Sequence, residues 1–587
     1  MKRYISIMAV LLALSVTSSC EGFLNRTPYD QVNSNNVFQD AALAETVVNG
    51  AYSNILADYV SESGARINWD AFASVLDPQT SNASLNYTYL MGTIQSTHSI
   101  FTTYWKRFYE GINRANDVIN NMHLVPNMTD ELKAQRIAEC KFLRAYHYYR
   151  LNCLWRGVPI YLQNLSVDQY TKPRSTEEQV WMQVIADCTD CIDCEQIEDK
   201  YASTSPDYGR VTRGAAYTLR GKAYLWLKDY EKAELDFKAV TTLGYKLHGN
   251  YKTLFTITNE KCDEMIFSAQ MEEQSGNGNF FSFIYGNEAT AGYGNSELFA
   301  NVNFVESYQE KDGSPFDWDK YIPGYNSMTP QDRSVFFFRD GLSDADKALM
   351  SANYGADMSK YLDSGNEARV RAAYLNRDPR LEATVITPYA TYLGGSAGSE
   401  ITYTFRFPFV DMTSPTCDLR GKQTTQMHYF IRKFVAEGKK HVNIKYNPVD
   451  APIFRYADVL LCLAEAINEQ GGRYTEAAGY VNQVRNRAGV AALNSNEHTR
   501  VSSMEDMRER IINEKKWELA AEEQLYYEEL RWGTWKRDKF AANNGLQHVW
   551  GAPLYTYKWG GDAYYKWAIP QSEREKNPSL QKNEGWM

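Results

Sequence analysis

The sequence predicts a mainly α-helical protein in which tetratricopeptide-like helical hairpins form a scaffold for a large irregular lobe containing short β-strands. Three observations carry that expectation. Apolar residues recur at three- and four-residue steps over several long stretches. Two stretches repeat the small-residue register of paired helices. Between about 250 and 450 the chain turns to Gly, Asn, Ser, Pro and aromatics, which is too long for a simple loop in a compact domain.

Taken in order, Asn36 to Tyr59 reads as a helix, with Phe38, Leu43, Val47, Ala51 and Ile55 on one face. Residues 61–100 are rich in Asn, Ser and Thr and read as loops, with Trp69, Tyr87 and Tyr89 as isolated aromatics. Helices follow over Tyr104–Met122 and Asp130–Cys153, the second stopped by Gly157-Val158-Pro159. From Arg213, the residues Tyr217, Gly221, Tyr224, Ala233 and Phe237 fall on the tetratricopeptide register. Small Gly221 and Ala233 belong where two helices approach most closely, and Lys228-Asp229-Tyr230 is short enough for the turn. A second copy spans Tyr456 to Val484, with Ala464 in the glycine's place, Gly471-Gly472 at the turn, and Ala477 and Val481 after it. The scaffold therefore occupies about 36–250 and 455–535, and the irregular lobe about 60–100 and 250–450. Short strands are expected at Glu264–Ala269, Thr384–Ile386, Ile401–Phe407 and Tyr429–Lys433. Further helices are expected at Arg455–Glu469, Thr475–Arg487 and Met504–Trp532. In the last, Lys515, Glu518 and Glu522 share a face, which reads as solvated.

Composition narrows the function. The chain has 587 residues, 62 basic and 72 acidic side chains, and 14% aromatic residues. A net charge of -10 with no basic stripe argues against a phosphate-backbone partner, so no nucleic acid is expected. Beyond the N-terminus no apolar run reaches membrane-spanning length, which excludes a polytopic membrane protein. The start itself reads as an export signal over residues 1–19: Lys2-Arg3, then the apolar Ile5–Val16, then Thr17-Ser18-Ser19 before Cys20. Cys20 directly after Ser18-Ser19 resembles a bacterial lipobox, so lipidation there is expected, the alternative being a conventional cleavage site; several acyl chains on one residue anchor a soluble body firmly.

Two tempting sites fail on spacing. Cys188, Cys191 and Cys194 look like metal ligands, but they continue the helical pattern of Trp181, Val184 and Ile185. No fourth Cys or His lies nearby in sequence, so a buried structural role is expected. Gly394-Gly395-Ser396-Ala397-Gly398 satisfies a nucleophile-elbow pattern, yet a strand-like segment follows where the elbow needs a helix, so it reads as a turn. The eight histidines are scattered. No catalytic centre, metal site or cofactor is expected.

A series of segments in fixed order resembles the SusD/RagB family of outer-membrane nutrient-binding lipoproteins of Bacteroidetes. It opens with Cys20-Glu21-Gly22-Phe23-Leu24-Asn25 and Pro28, then Lys141-Phe142-Leu143-Arg144-Ala145 and Trp155-Arg156-Gly157-Val158-Pro159. Arg213–Ala216 and Tyr224-Leu225 follow, then Arg455-Tyr456-Ala457-Asp458 with Ala464-Glu465-Ala466. The series closes with Arg485, Arg487-Ala488-Gly489, Glu514-Lys515, Glu518, Glu522, Leu530-Arg531-Trp532, Ile569-Pro570 and Asn577-Pro578. The resemblance covers nearly all of residues 20–587 and implies one SusD-like domain. It also implies a protein lipid-anchored to the outer membrane, facing the exterior, that binds an oligosaccharide and passes it to a TonB-dependent, SusC-like barrel. Of the acidic run that surface-exposed members often carry after the Cys, only Glu21 is present.

Sugar binding asks for flat rings against C–H faces and for amides or carboxylates toward hydroxyls, on loops held by a rigid frame. Two segments offer this: Trp69 to Tyr89, and residues 279–325. The candidate ligand residues are Trp69, Tyr87, Tyr89, Tyr293, Trp318 and Tyr321. The competing role for each ring is core packing, which is the expected role of Trp532, Trp535, Trp550, Trp559 and Trp567. A peptide ligand in the same transporter-lid role is the alternative function, and hydrolysis through Ser396 the remote one.

Overall fold

The computed structural model describes residues 37–60, 67–79, 84–291, 293–395, 399–410, 416–439, 443 and 445–586. The export signal, Cys20 and Ser396 lie outside these residues.

The scaffold begins with α1 (Ala41–Leu56), whose first turn is capped by the Asp40 side chain. Next come α2 (Ser99–Asn121) and α3 (Asp130–Trp155). The helix α2 starts five residues before its expected position, because His98 accepts a hydrogen bond from Ile100 N and serves as the cap. The chain continues through α4 (Glu177–Asp193), α5 (Arg213–Leu227) and α6 (Tyr230–Thr241), each packed on the next. Lys228 closes α5 in the left-handed conformation and Asp229 caps α6, so the predicted turn is a two-residue connection. The close approach is real: a Cβ added to Gly221 would lie 2.8 Å from the Phe237 ring. The second hairpin is α7 (Tyr456–Glu469) with α8 (Tyr474–Ala488), and α7 also packs on α6 and on α9 (Met504–Leu519). Cys188 and Cys191 lie in the core of α4, where burial raises both thiols.

The expected helix 504–532 is two helices, α9 and α10 (Leu525–Trp532). Between them Ala521 and Glu523 take positive φ angles of 68° and 66°. Its charges are not solvated either: Lys515, Glu518 and Glu522 are at most 3% exposed. Arg455 sends Nη1 to Glu518 at 2.7 Å and to Glu264 at 2.6 Å, and Nε to Glu522 at 2.6 Å. Lys433 Nζ reaches Glu522 at 2.6 Å, and Arg380 Nη1 reaches Glu518 at 3.1 Å. Charge sequestered this deeply is tolerable only when each group is paired and hydrogen-bonded. Arg380 and Lys433 belong to the lobe and α9 to the scaffold, so the network joins the two. The helical period located these residues, but the neighbours that cover them come from distant parts of the chain.

The lobe is built on small ladders: β1 (Leu76–Pro78) with β3 (Leu298–Ala300), β2 (Met265–Ala269) with β9 (Ala451–Arg455), and β4 (Val385–Ile386) with β8 (Phe430–Ile431). A three-stranded sheet joins β5 (Thr391–Gly394), β6 (Ile401–Thr404) and β7 (Thr416–Asp418). The strand β6 takes the place where a nucleophile elbow would need a helix. Short helices fill more of the lobe than its composition suggests, including Asp344–Tyr354 and Asn366–Leu375. Among the described residues no helix is long and apolar enough to cross a membrane.

Candidate functional site

The ladder β1–β3 brings the two predicted ligand segments together. Its antiparallel register pairs Leu76 with Ala300 and Pro78 with Leu298, and Gln79 N extends it by donating to Glu297 O at 2.8 Å. The chain leaving β1 and the chain entering β3 therefore emerge side by side. Asp77 anchors the ladder, buried and receiving Tyr557 Oη at 2.6 Å and Asn301 Nδ2 at 2.9 Å. Burial raises its carboxyl, and neighbouring Lys539 opposes the rise.

Beyond β1, the short helix Ser84–Leu90 carries Tyr87, which is half-buried and meets Tyr555 edge-on at 5.0 Å. Tyr555 in turn donates its hydroxyl to Pro78 O. Ahead of β3 stands Tyr293, 61% exposed and held at φ 63°. Its loop is fixed from below: Asn295 N donates to Phe283 O at 2.7 Å, and Ser296 N to Gly286 O at 2.9 Å. Two glycines make that possible, since a Cβ on Gly294 would lie 2.2 Å from the Gly286 backbone. Beside the ring, Asn295 donates its amide to the Glu297 carboxylate. Gln79 Oε1 is buried without a partner among the described residues. The rim formed by these two segments thus offers the exposed Tyr293 ring, the half-buried Tyr87 and the Glu297 carboxylate, while the amides of Gln79 and Asn295 are buried beneath it.

The other candidates lie elsewhere. Trp69 is 1% exposed, edge-on to Tyr104 at 4.9 Å and 5.6 Å from Trp567, with the Arg150 guanidinium 5.2 Å from its ring. Tyr89 is fully buried and donates to Tyr564 O at 2.9 Å. Trp318 is 3% exposed, stacked on Tyr325 at 4.7 Å with its indole N–H on Glu306 at 2.8 Å. These three rings present no face to a ligand, which corrects the expectation made from their polar sequence context. That context supplies the partners for their N–H and O–H edges while the rings fill the core. Tyr321 is half-buried and donates to Glu310 at 2.7 Å, beside Phe316, over which the Arg377 guanidinium lies at 3.6 Å. No described contact links that group to Tyr87 or Tyr293. Sequence reasoning missed Tyr555 and Glu297; the alternating Tyr555-Thr556-Tyr557 after Gly551 and Pro553 was the available signal.

Of the Trp cluster, Trp535, Trp550 and Trp567 are buried in the core. Among the described residues no group of His, Cys, Asp or Glu is arranged to hold a metal ion.

The structure thus sets a ladder-built lobe on a stack of helical hairpins. The SusD family model matches residues 263–586, and a second model, described as starch-binding and associating with the outer membrane, matches residues 22–225. The chain belongs to the SusD family. It is 24% identical over 530 residues to a SusD-like protein of Formosa agariphila, covering 88% of this chain and 87% of that one. It is also 24% identical over 479 residues to the starch-binding protein SusD of Bacteroides thetaiotaomicron, covering 78% and 74%. Among solved structures, a SusD-like protein from Bacteroides fragilis superposes with a TM-score of 0.72 at 19% identity, over 96% of this chain and all of that one. A laminarin-binding SusD-like protein superposes with a TM-score of 0.63 at 19% identity, over 94% and 100%. These structures share the helical fold found here.

Proposed function

We propose that this protein captures nutrient oligosaccharides without cleaving them and delivers them to a TonB-dependent outer-membrane barrel. In this reading it is lipid-anchored through Cys20 and faces the exterior. What supports it is the β1–β3 ladder, which pairs the two segments that carry the half-buried Tyr87 and the exposed Tyr293, with Glu297 beside the ladder. A rigid frame presenting rings and hydrogen-bonding groups suits a sugar's alternating C–H and hydroxyl surface, and its pre-formed shape limits the entropy lost on binding. Family membership supports the transporter role, and relatives named for starch and laminarin support the ligand class.

Isothermal titration against neutral oligosaccharides, α- and β-linked, tests the ligand class; a response only to peptides would overturn it. Loss of membrane retention in Cys20→Ala tests the anchor, and co-purification with a barrel tests the partner. Product release from any bound glycan by the purified chain, abolished in Ser396→Ala, would replace capture with hydrolysis.

A further inference from the structure

A second aromatic surface lies on the helical side of the molecule. A cavity of about 700 Å³ opens between α2, the loop around residues 159–170 and the segment 573–580 near the C-terminus. That volume falls within the roughly 300–1,000 Å³ of small-molecule sites. Its wall is a run of rings: Trp105 to Tyr109 at 5.1 Å, Tyr109 to Tyr161 at 6.2 Å, and Tyr161 to Tyr170 at 4.9 Å. Trp105 and Tyr109 stand one helical turn apart on α2. Tyr161 and Tyr170 are placed by the loop that follows α3, where Tyr148 Oη both receives Tyr161 N at 2.7 Å and donates to Tyr161 O at 3.0 Å.

The polar groups around these rings are suited to hydroxyls. Tyr161 Oη accepts from Lys172 N at 3.2 Å and Tyr170 Oη accepts from Leu165 N at 3.1 Å. Neither hydroxyl proton has an acceptor among the described residues. The Asn113 Oδ1 at the wall is closed off without a partner among the described residues, so turning it toward a ligand hydroxyl costs no hydrogen bond. At the margin Glu110 pairs with Arg114 at 2.6 Å and Glu573 with Lys576 at 2.8 Å, so charges there are balanced rather than of one sign.

We propose that this groove is a second binding site, for a short stretch of neutral oligosaccharide, separate from the rim at Tyr293. Consecutive sugar rings would lie against consecutive aromatics, with hydroxyls toward Asn113 and the tyrosine oxygens. The wall also carries Lys106 and Asp168, one charge of each sign, so the groove does not select for a glycan of one charge. A peptide added as a strand finds no partner, because no described strand lines the groove. The groove shares no residue with the rim, so it binds whether or not the rim does.

The test is isothermal titration with four neutral hexasaccharides (an α-glucan, a β-glucan, a β-mannan and a β-galactan). It uses the wild type, a rim variant (Tyr87→Ala with Tyr293→Gly), two groove variants (Asn113→Leu and Tyr170→Ala) and the combination, each checked for its helical signal. The rim variant is expected to keep a binding event that Asn113→Leu weakens about tenfold, the equivalent of one hydrogen bond of about 1.4 kcal/mol. The combination is expected to lose both events. A rim variant that binds none of the four, or groove variants that match the wild type on all of them, would overturn the proposal. So would tighter binding of a tripeptide in the rim variant. A rim variant identical to the wild type, with binding lost in the groove variants, would refute the rim reading and leave the groove standing.

Discussion

Asp70 and Glu523 each hold backbone amides of the other's chain segment. Asp70 accepts the amides of Glu523 at 3.1 Å and Leu525 at 3.0 Å, while the Glu523 carboxylate receives the amide of Trp69 at 2.5 Å. This exchange holds the break between α9 and α10 and explains why Trp69 is a plug rather than a platform. Burial and the nearby Glu523 charge raise the Asp70 carboxyl well above its usual range. Replacing Asp70 with Ala leaves two buried amides without acceptors. A loss of about 2–4 kcal/mol in urea unfolding is expected, roughly 1–3 for each group less some relaxation. An unchanged midpoint would show that the clasp is dispensable.

Gly221 faces the Phe237 ring with no room for a side chain. Gly221→Val is expected to cost about 1–3 kcal/mol by overpacking, although Gly is a poor helix former. Adding Phe237→Leu should recover part of the loss, because neighbouring sites couple. Simple additivity in the double variant would place the strain elsewhere.

Asp450 is held up at about 8, first by burial and then by the Glu260 charge. Its Oδ1 accepts Met271 N at 2.7 Å, but Oδ2 has no partner among the described residues. The folded state therefore binds a proton that the unfolded state releases between about pH 4 and pH 8. Stability through this group falls as pH rises across that window. Asp450→Asn keeps the acceptor and removes the charge. It is expected to raise the melting temperature at pH 7–8, with the gain vanishing near pH 4. A gain of equal size at pH 4 would exclude titration as the cause.

Tyr293 combines a 61% exposed ring with a left-handed backbone, so its side chain does little for folding. Tyr293→Gly should leave stability equal or up to about 1 kcal/mol higher, since Gly adopts that conformation freely. Saccharide affinity at the rim should fall about tenfold, the scale of one lost ring contact. Full affinity in this variant would remove the ring from the site.

Breaking the buried ion network is a different kind of damage. Glu522→Gln leaves Lys433 and Arg455 short of a counter-charge inside the protein. About 3–5 kcal/mol of stability should be lost, with scaffold and lobe loosening together. Hydrogen exchange that rises only in the lobe would contradict the role of this network as the join.

The hairpins were legible because their signal is local. Gly221, Ala233 and Phe237 lie on neighbouring turns, and the period that spaces them is a property of the helix itself. The same period misread Lys515, Glu518 and Glu522, since it says which residues share a face and nothing about what covers that face. Arg380, Lys433 and Arg455, which cover it, arrive from far along the chain. The candidate rings divided for a related reason. Polar neighbours mark both an exposed platform and a buried ring whose hydrogen-bonding edge needs partners, so Tyr293 and Trp69 look alike in sequence.

The sequence by itself determined the helical scaffold, its paired turns and the family to which the chain belongs, because these rest on contacts close along the chain and on ordered motifs. Only the tertiary structure decided which aromatics reach solvent, where the last long helix breaks, and that β1 and β3 pair the segments carrying Tyr87 and Tyr293. The β1–β3 pairing and the helix break held by Asp70 and Glu523 depend on residues far apart along the chain, and no local pattern encodes the closing of such long loops.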